Sequence, residues 1–336
     1  MSGNHSYPDK MKAVFLEKEG GPLVIRETGI PLPGPGEVLV KIAAAPVNPS
    51  DIAGIKEAHS WNDLNTFIPG LEGSGTVVAA GGGLLPSLWK GRRVACASKA
   101  KGNGTWAEYM VTTAANCFPL SKRVSDEQGS MSLVNPLTAL AFIDIAKEGR
   151  HQAIINNAAA SALGKMVDLL CRKERIPLIN IVRRKDHATM LKDQGSDYVL
   201  DRSEPAFTEE LKSLASKLNA TILFDSVCGP QFHDLTEALP SGSSVVIYGS
   251  LSPDEYVQIN PRKLLANDIR ICGFYLGARA KKNGLIKNLM QLRKVSRLMS
   301  TDMKITIHAR FPLERAGEAM ETYLAGMSAG KVLLIP

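Results

Sequence analysis

The sequence lacks the marks of several large function classes. Its five cysteines, at positions 96, 117, 171, 228 and 272, are odd in number, widely scattered and without a C-x-x-C pair. That pattern excludes a disulfide framework and a sequence-local structural zinc site, and it reads as reduced, mostly buried thiols. The six histidines form no H-E-x-x-H pair, so no metal site is expected. Aromatic residues are only 6% of the chain, which offers little for base stacking. The excess of 40 Lys+Arg over 33 Asp+Glu gives +7, a bias that suits small anionic ligands and falls short of a nucleic-acid signature. No apolar run reaches the roughly 18 residues of a membrane span, and residues 1–10 carry no apolar signal-peptide core. These absences predict a cytosolic chain without membrane or nucleic-acid partners.

What is present is ordinary globular material: 336 residues, 44% hydrophobic and 22% charged, enough for about two domains with a sizeable core. Strand-like runs at 11–16, 37–42, 75–80, 93–97 and 105–111, separated by Gly- and Pro-rich turns, predict an antiparallel β domain in the first third. From about Asp126 the rhythm becomes helix and strand in alternation. Strands are expected at 153–157, 177–182, 198–200, 221–225, 244–248 and 269–274, which specifies a doubly wound parallel sheet with ligand at the carboxyl ends of its strands. One helix is well signalled, with Asp186 capping its start, Gly195 ending it, and Met190 and Leu191 facing inward. The stretch 281–299 reads as a basic amphipathic helix with Leu285, Leu289, Leu292 and Val295 on its apolar face.

Two segments carry chemistry. The apolar run at 153–155 feeds Asn156-Asn157-Ala158-Ala159-Ala160-Ser161-Ala162-Leu163-Gly164, small residues opening a helix, as a βα turn does when pyrophosphate approaches backbone N–H groups. The run at 177–182 ends in Arg183-Arg184-Lys185, where the second strand of a dinucleotide fold meets the adenosine ribose. An acidic residue there would bond a 2′-hydroxyl, whereas guanidinium forks match a 2′-phosphate, so the pattern points to NADPH rather than NADH. Gly326-Met327-Ser328-Ala329-Gly330 satisfies G-x-S-x-G, but no histidine follows it, as a nucleophile elbow requires.

With these pieces in place, residues 11–336 resemble the zinc-independent quinone oxidoreductase branch of the medium-chain dehydrogenase/reductase superfamily. The resemblance rests on Val47-Asn48-Pro49-Ser50-Asp51, Pro69-Gly70-Leu71-Glu72-Gly73, Gly104-Thr105-Trp106-Ala107-Glu108-Tyr109, Asn135-Pro136-Leu137-Thr138-Ala139, Phe224-Asp225-Ser226-Val227-Cys228-Gly229, Tyr248-Gly249-Ser250 and Gly330-Lys331-Val332, in that order. It implies an α/β fold with a GroES-like β-rich catalytic domain (1–126 and 276–336) and an inserted Rossmann doubly wound parallel sheet (127–275). It also implies a homodimer paired through the edge strand 269–274. Zinc-dependent relatives place a Cys within the stretch matching 48–51 and a His-Glu pair where this chain has Leu71-Glu72. The resemblance therefore implies hydride transfer from NADPH to a quinone or activated enone without zinc.

Carried over by position, Asn48 and Asp51 would lie beside the nicotinamide or substrate, and the oxyanion would be protonated by solvent, His59 or Asp51. Thr138 would lie near the phosphates, and Ser161, Ala162, Leu163 and Gly164 would hold the pyrophosphate. Arg183, Arg184, Lys185 and Arg202 would surround the 2′-phosphate. Ser226, Gly249, Ser250, Phe274, Tyr275 and Gly330 would line the ring and its carboxamide. Relatives commonly carry Ala-x-x-Gly-Gly-Val-Gly in the loop; the Ser-containing version here is similar to that of mitochondrial-type enoyl-thioester reductases, which gives enoyl-thioester reduction as an alternative. Their tyrosine proton donor is missing, since 52–71 contains only Lys56, His59 and Trp61 as comparable residues. A second alternative is a non-catalytic NADPH- or RNA-binding protein, its contact surface the basic stretch 279–297.

Overall fold

The computed structural model describes residues 7–17, 21–57, 67–99, 103–254 and 256–336. The chain forms two compact units, Met1–Val134 with Met290–Pro336, and Asn135–Leu289. The sequence reading sets the corresponding boundaries at 126/127 and 275/276.

The first unit opens with β1 (Lys10–Leu16) and β2 (Leu23–Gly29), an antiparallel pair. Next come β3 (Glu37–Pro46), α1 (Pro49–Glu57), β4 (Glu72–Ala80), α2 (Leu84–Trp89), β5 (Arg93–Ala97), β6 (Tyr109–Thr113), β7 (Cys117–Pro119) and α3 (Asp126–Ser130). The stretch 105–108 is not strand as its alternation predicts. The Gly104, Thr105 and Trp106 N–H groups donate to the Ile68, Gly70 and Pro69 carbonyls of an irregular segment. Residues 106–108 meet β1 only through an isolated antiparallel bridge at Ala107 and Ala13, with Val14 N–H donating to the Trp106 carbonyl at 2.9 Å and Glu108 N–H to the Lys12 carbonyl at 3.1 Å.

The chain then enters α4 (Val134–Glu148) and the second unit: β8 (Ile154–Asn156), α5 (Ala162–Glu174), β9 (Leu178–Val182), α6 (Lys185–Asp193), β10 (Tyr198–Asp201), α7 (Phe207–Leu218), β11 (Ile222–Asp225), α8 (Gln231–Glu237), β12 (Ser244–Ile247), α9 (Pro261–Asn267) and β13 (Arg270–Gly273). All six strands are parallel, in the order β10-β9-β8-β11-β12-β13. The order reverses between β8 and β11, the point at which such sheets bind ligand.

After α10 (Leu276–Thr301) the chain returns to the first unit as β14 (Ile307–Pro312), α11 (Ala316–Ala325) and β15 (Lys331–Ile335). β15 pairs antiparallel with β3 and parallel with β14, completing a sheet in the order β14-β15-β3-β4-β5-β7, with β6 on β3. Its core joins Val38, Val40 and Ile42 of β3 to Val332 and Leu334 of β15, with the buried Trp106 indole donating to the Pro46 carbonyl at 3.3 Å.

Two helix readings need correction. Asp186 lies inside α6 rather than capping it; its carboxylate pairs with Arg184, the residue that precedes the helix. In α10, Gly284 takes φ +72° and ψ 174° and breaks the helix; beyond the break Val295 and Leu298 are buried, whereas Leu285 is 73% exposed and Leu289 is exposed too.

Alternation along the parallel strands separates two cores in the second unit. Ile155, Ile179, Ile181, Leu223 and Val245 meet Phe207, Leu211, Phe232 and Leu235 of α7 and α8. Phe224 instead stacks on Phe142 of α4, ring centroids 4.0 Å apart, and Phe142 also meets Tyr248 and Phe274 edge-on at 4.8 and 5.3 Å. Because Phe142 ties the ends of three strands to one helix, Phe142→Ala should lower the unfolding free energy by about 3–5 kcal/mol in denaturant titrations.

Candidate functional site

The β8 to α5 turn is held by bonds on both sides. Asn157 N–H donates to the Phe224 carbonyl at 3.0 Å and Ala159 N–H to Ile181 at 3.1 Å. The Asn157 side chain donates to Asp225 at 2.7 Å and accepts from Ala158 N–H at 2.9 Å, fixing Ala158 at φ +57°. Ser161 caps α5, its hydroxyl accepting from Gly164 N–H at 3.0 Å. With that N–H occupied, the first-turn N–H groups of Ala162 and Leu163 have no intrahelical partner and are the ones an anion at this helix N-terminus would meet. A Cβ on Gly164 would lie 2.3 Å from the Ala159 carbonyl oxygen, so the one glycine kept from the dinucleotide fingerprint is the one that lets helix and loop touch.

Cations gather at the ends of β9 and β10. Arg202 N–H donates to the Val182 carbonyl at 2.9 Å, which sets Arg202 beside Arg183. Burial, then the Arg183 charge, disfavour the Arg202 cation, yet a guanidinium stays protonated. Arg184 and Lys185 are exposed, and Arg184 is engaged by Asp186 through Nε to Oδ1 at 3.0 Å and a second Nη2 to Oδ2 contact. Arg183, Lys185 and Arg202 have no ion pair among the described residues. Half-buried Lys165, one residue past Gly164, adds a further cation that the motif reading passes over.

The ends of β11 to β13 place Ser226, Gly249, Ser250, Phe274 and Tyr275 along the same carboxyl edge. Asp225, buried and raised in pKa chiefly by that burial, accepts Val227 and Cys228 N–H groups at 2.9 and 3.2 Å, which turns the chain at Ser226. A Cβ on Gly249 would come within 3.2 Å of Ser226. Ser250 is exposed, Tyr275 is 73% exposed, and Thr138 is buried in α4. Residues predicted from separate motifs are thus brought to one edge of one sheet. These groups fit a dinucleotide: a helix N-terminus whose glycine lets backbone approach, and cations where a phosphate would need them.

Asn48, Asp51 and Gly330 belong to the first unit, in a closed polar cluster. Asp51, at the third position of α1, accepts Asn48 N–H at 2.8 Å, the returning half of a capping box, and Leu71 N–H at 2.8 Å. The Asn48 amide donates to Glu72 at 3.1 Å and accepts from Lys331. Glu72 also accepts Leu133 and Val134 N–H groups at 3.0 and 2.9 Å. Asn48 and Lys331 are each 1% exposed, and Asp51 is 3% exposed. Burial pushes Glu72 up and Lys331 down, their mutual attraction opposing both shifts, while burial takes Asp51 up to about 7. Gly330 holds φ +141° where a Cβ would meet the Thr306 carbonyl at 2.8 Å, which packs β15 beside the chain entering β14. His59 lies outside the described residues.

Sequence reasoning missed Lys331 as a site residue because a lysine opening an apolar strand normally turns to solvent; its partners, Asn48 and Glu72, come from distant segments. Among the described residues no group of three His, Cys, Asp or Glu is arranged to hold a metal ion.

Comparisons with known proteins complete the picture. Residues 34–122 match the family model described as the alcohol dehydrogenase GroES-like domain, and residues 162–292 the one described as zinc-binding dehydrogenase. The chain is 24% identical over 335 residues to a quinone oxidoreductase of Sus scrofa, covering 97% of this chain and 98% of that protein. It is 30% identical over 277 residues to a mitochondrial enoyl-[acyl-carrier-protein] reductase of Arabidopsis thaliana, covering 79% of this chain and 72% of the relative. A crystal structure of a candidate NADPH:quinone reductase from Mesorhizobium loti superposes with TM-score 0.89 at 32% identity, covering 98% of this chain and all of that one.

Two measurements follow from the closed cluster. Lys331→Met, which leaves Glu72 and Asp51 buried without their cation, should destabilise the protein by about 3–5 kcal/mol, and adding Glu72→Gln should restore part of the loss. Asp51, with a folded pKa of about 7 against an ordinary 3.8, favours the folded state fully below pH 3.8 and loses that contribution as pH rises toward 7. Denaturant titrations should therefore show wild-type stability falling relative to Asp51→Asn between pH 4 and 7.

Proposed function

Because the chain belongs to the medium-chain dehydrogenase/reductase superfamily, in its quinone oxidoreductase branch, we propose that it is an NADPH-dependent oxidoreductase that reduces a quinone or an activated enone. The observation that carries this reading is the set of cations that form no ion pair among the described residues, Arg183, Lys185 and Arg202, beside the Gly164-packed helix N-terminus. A 2′-phosphate is the anion that such a place on a dinucleotide fold meets.

NADPH, when bound, supplies the hydride. The chain's own residues bind and orient: Ala162 and Leu163 N–H groups with the Ser161 cap take the pyrophosphate, and Arg183, Arg184, Lys185 and Arg202 take the 2′-phosphate. Ser226, Gly249, Ser250, Phe274 and Tyr275, along the remaining carboxyl edge, suit the ring end, and Thr138 suits the phosphates. Positioning of this kind supplies much of the rate in cofactor enzymes. In the first unit we assign Asn48 and Asp51 positioning roles, because both Asp51 oxygens accept backbone N–H groups and both ends of the Asn48 amide are engaged. Protonation of the reduced product then falls to water or to His59. We read the reaction as zinc-independent from the residues standing at the metal-ligand positions, Asn48 to Asp51 and Leu71.

Reduction of an enoyl thioester is a second reading, favoured by the Ser161 loop and by the relatives bearing that activity's name. A nucleic-acid role for 279–297 has less support, since Arg279 bonds Glu148 at 2.6 Å and Lys287 bonds Asp144 and Glu148 at 3.1 and 2.9 Å. These partners hold the Glu148 carboxyl down at about 2. We further propose a cytosolic homodimer. β13 ends its sheet with its outer edge exposed, which suits strand pairing across a two-fold axis, and Cys96, Cys117, Cys171 and Cys228 are free, buried thiols that suit a reducing compartment. No helix among the described residues is long and apolar enough to cross a membrane.

Titration by nicotinamide fluorescence tests the cofactor assignment. A charge-assisted contact is worth about 1.5–3 kcal/mol, so Arg183→Ala should weaken NADPH roughly 10- to 100-fold with NADH unchanged. Arg184→Ala should cost less, because Asp186 already holds that guanidinium. Equal loss for both nucleotides would overturn the assignment. Nicotinamide absorbance with quinones, alkenones and enoyl thioesters as acceptors then separates the two substrate readings, and sedimentation equilibrium should give twice the chain mass.

A further inference from the structure

The first turn of α6 brings a histidine to the cation cluster. Ala188, the next residue, packs with Ala159 and Ala160 of the βα turn and with Val182 at the end of β9, so this turn of α6 is pinned to the phosphate loop. The same strand end is bonded on both sides, through Ala159 N–H to Ile181 and Arg202 N–H to Val182. His187 is half-buried there, with its backbone N–H donating to Asp186 Oδ1 at 3.0 Å.

We propose that His187, together with Lys165, completes the 2′-phosphate subsite, and that proton uptake by His187 makes the preference for NADPH over NADH depend on pH. This rests on the cofactor reading above and names the residues that sharpen it.

The charges acting on His187 come from three elements. Lys165 stands in the first turn of α5, Arg183 at the end of β9, and Arg184 and Asp186 at the start of α6. Asp186 is the only carboxylate among them and is already neutralised by Arg184 at two points. Burial, opposed by Asp186 and aided by the three cations, holds the imidazole below its ordinary pKa, and burial likewise lowers Lys165. Without an anion the site therefore disfavours the imidazolium form of His187.

A phosphomonoester carrying about −1.5 to −2 charge reverses this. Placed among Lys165, Arg183 and Arg202, it cancels the repulsion on the imidazole and offers an acceptor to each ring N–H, so the imidazolium becomes the favoured form. NADH brings no such group. A histidine whose pKa is higher in the complex than in the free protein adds fully to affinity below its free pKa. That addition disappears as pH rises through its bound pKa. If the imidazole holds its proton roughly tenfold more tightly in the complex, NADPH binds roughly tenfold more tightly to the protonated protein.

The test is calorimetric titration of the full chain with NADPH and with NADH at pH 6, 7 and 8, in buffers of different ionisation enthalpy, for wild type, His187→Gln and Lys165→Met. Wild type should take up more protons with NADPH than His187→Gln does. The variant retains only the ionisation of the 2′-phosphate itself, whose second pKa lies near 6. The ratio of NADPH to NADH affinity should fall roughly three- to fivefold more between pH 6 and 8 in wild type than in His187→Gln, since the full tenfold is reached only well below the free pKa. Lys165→Met should weaken NADPH several-fold at each pH and leave NADH unchanged. In wild type, the imidazole NMR resonance that His187→Gln deletes should shift its titration to higher pH when NADPH is added. NADPH binding with identical proton uptake in wild type and His187→Gln, or an unshifted resonance, overturns the role of His187 alone. Failure of wild type to bind NADPH at any pH overturns the cofactor reading and the proposal with it.

Discussion

The approach of α5 to the loop that feeds it, at Gly164 against the Ala159 carbonyl, is the contact on which the second unit's chemistry depends. A side chain there would push the helix away from the sheet edge and carry its first-turn N–H groups with it. Because Asn157 also bonds Asp225, and Ala159 bonds Ile181, the same loop is stitched to β11 on one side and β9 on the other. One close contact thus registers the N-terminus of α5 with the strand ends that carry Arg183 and Ser226. Ala158 accepts a left-handed conformation, with its local cost of about 1–2 kcal/mol, within this stitching.

The two units treat charge in opposite ways. In the first, Glu72, Asn48, Lys331 and Asp51 satisfy one another and the backbone, sealed from water; the result is a strut that joins α1, the start of β4 and β15. In the second, Arg183, Lys185 and Arg202 gather at the rim of a sheet with no ion pair among the described residues, Arg184 alone being bound, by Asp186. Leaving like charges together raises the free energy of the unliganded protein, and the arrangement is sensible only if an anion arrives to relieve it. The closed cluster stabilises fold; the open one stores affinity.

The architecture was legible from alternation and turn chemistry. Each of the six parallel strands falls within two residues of its expected place, because buried parallel strands read as short apolar runs between helices. The sequence was misleading where a local pattern competed with a distant partner. Residues 105–108 alternate like a strand, but Thr105 and Trp106 donate to an irregular segment and only a single bridge at Ala107 reaches β1, and Asp186 looks like a cap but is drawn to Arg184. Leu285 and Leu289 have helical spacing with Val295, yet only Val295 finds apolar cover and the two leucines stay exposed. At the site, Arg183 and Arg202 could be named from position, whereas Lys165 and His187 become visible only when α5 and α6 are folded against each other's loops. Asn48 and Asp51 show the converse: position nominated them for chemistry, and geometry gives each a set of internal partners.

The pairing of β15 with β3 also has a kinetic meaning. Lys331 reaches Asn48 across 283 residues of chain, and the whole second unit is inserted between them. During synthesis β3, Asp51 and Glu72 emerge well before the strand and the cation they pair with. The second unit, contiguous along the chain, is complete before they arrive. Its folding shortens the loop that β3 and β15 must close, from a long disordered span to a compact body with tethered ends. The inserted unit is in this sense a folding aid for its host, and lesions that slow it would be felt first as exposure of an unfinished sheet edge in the other unit.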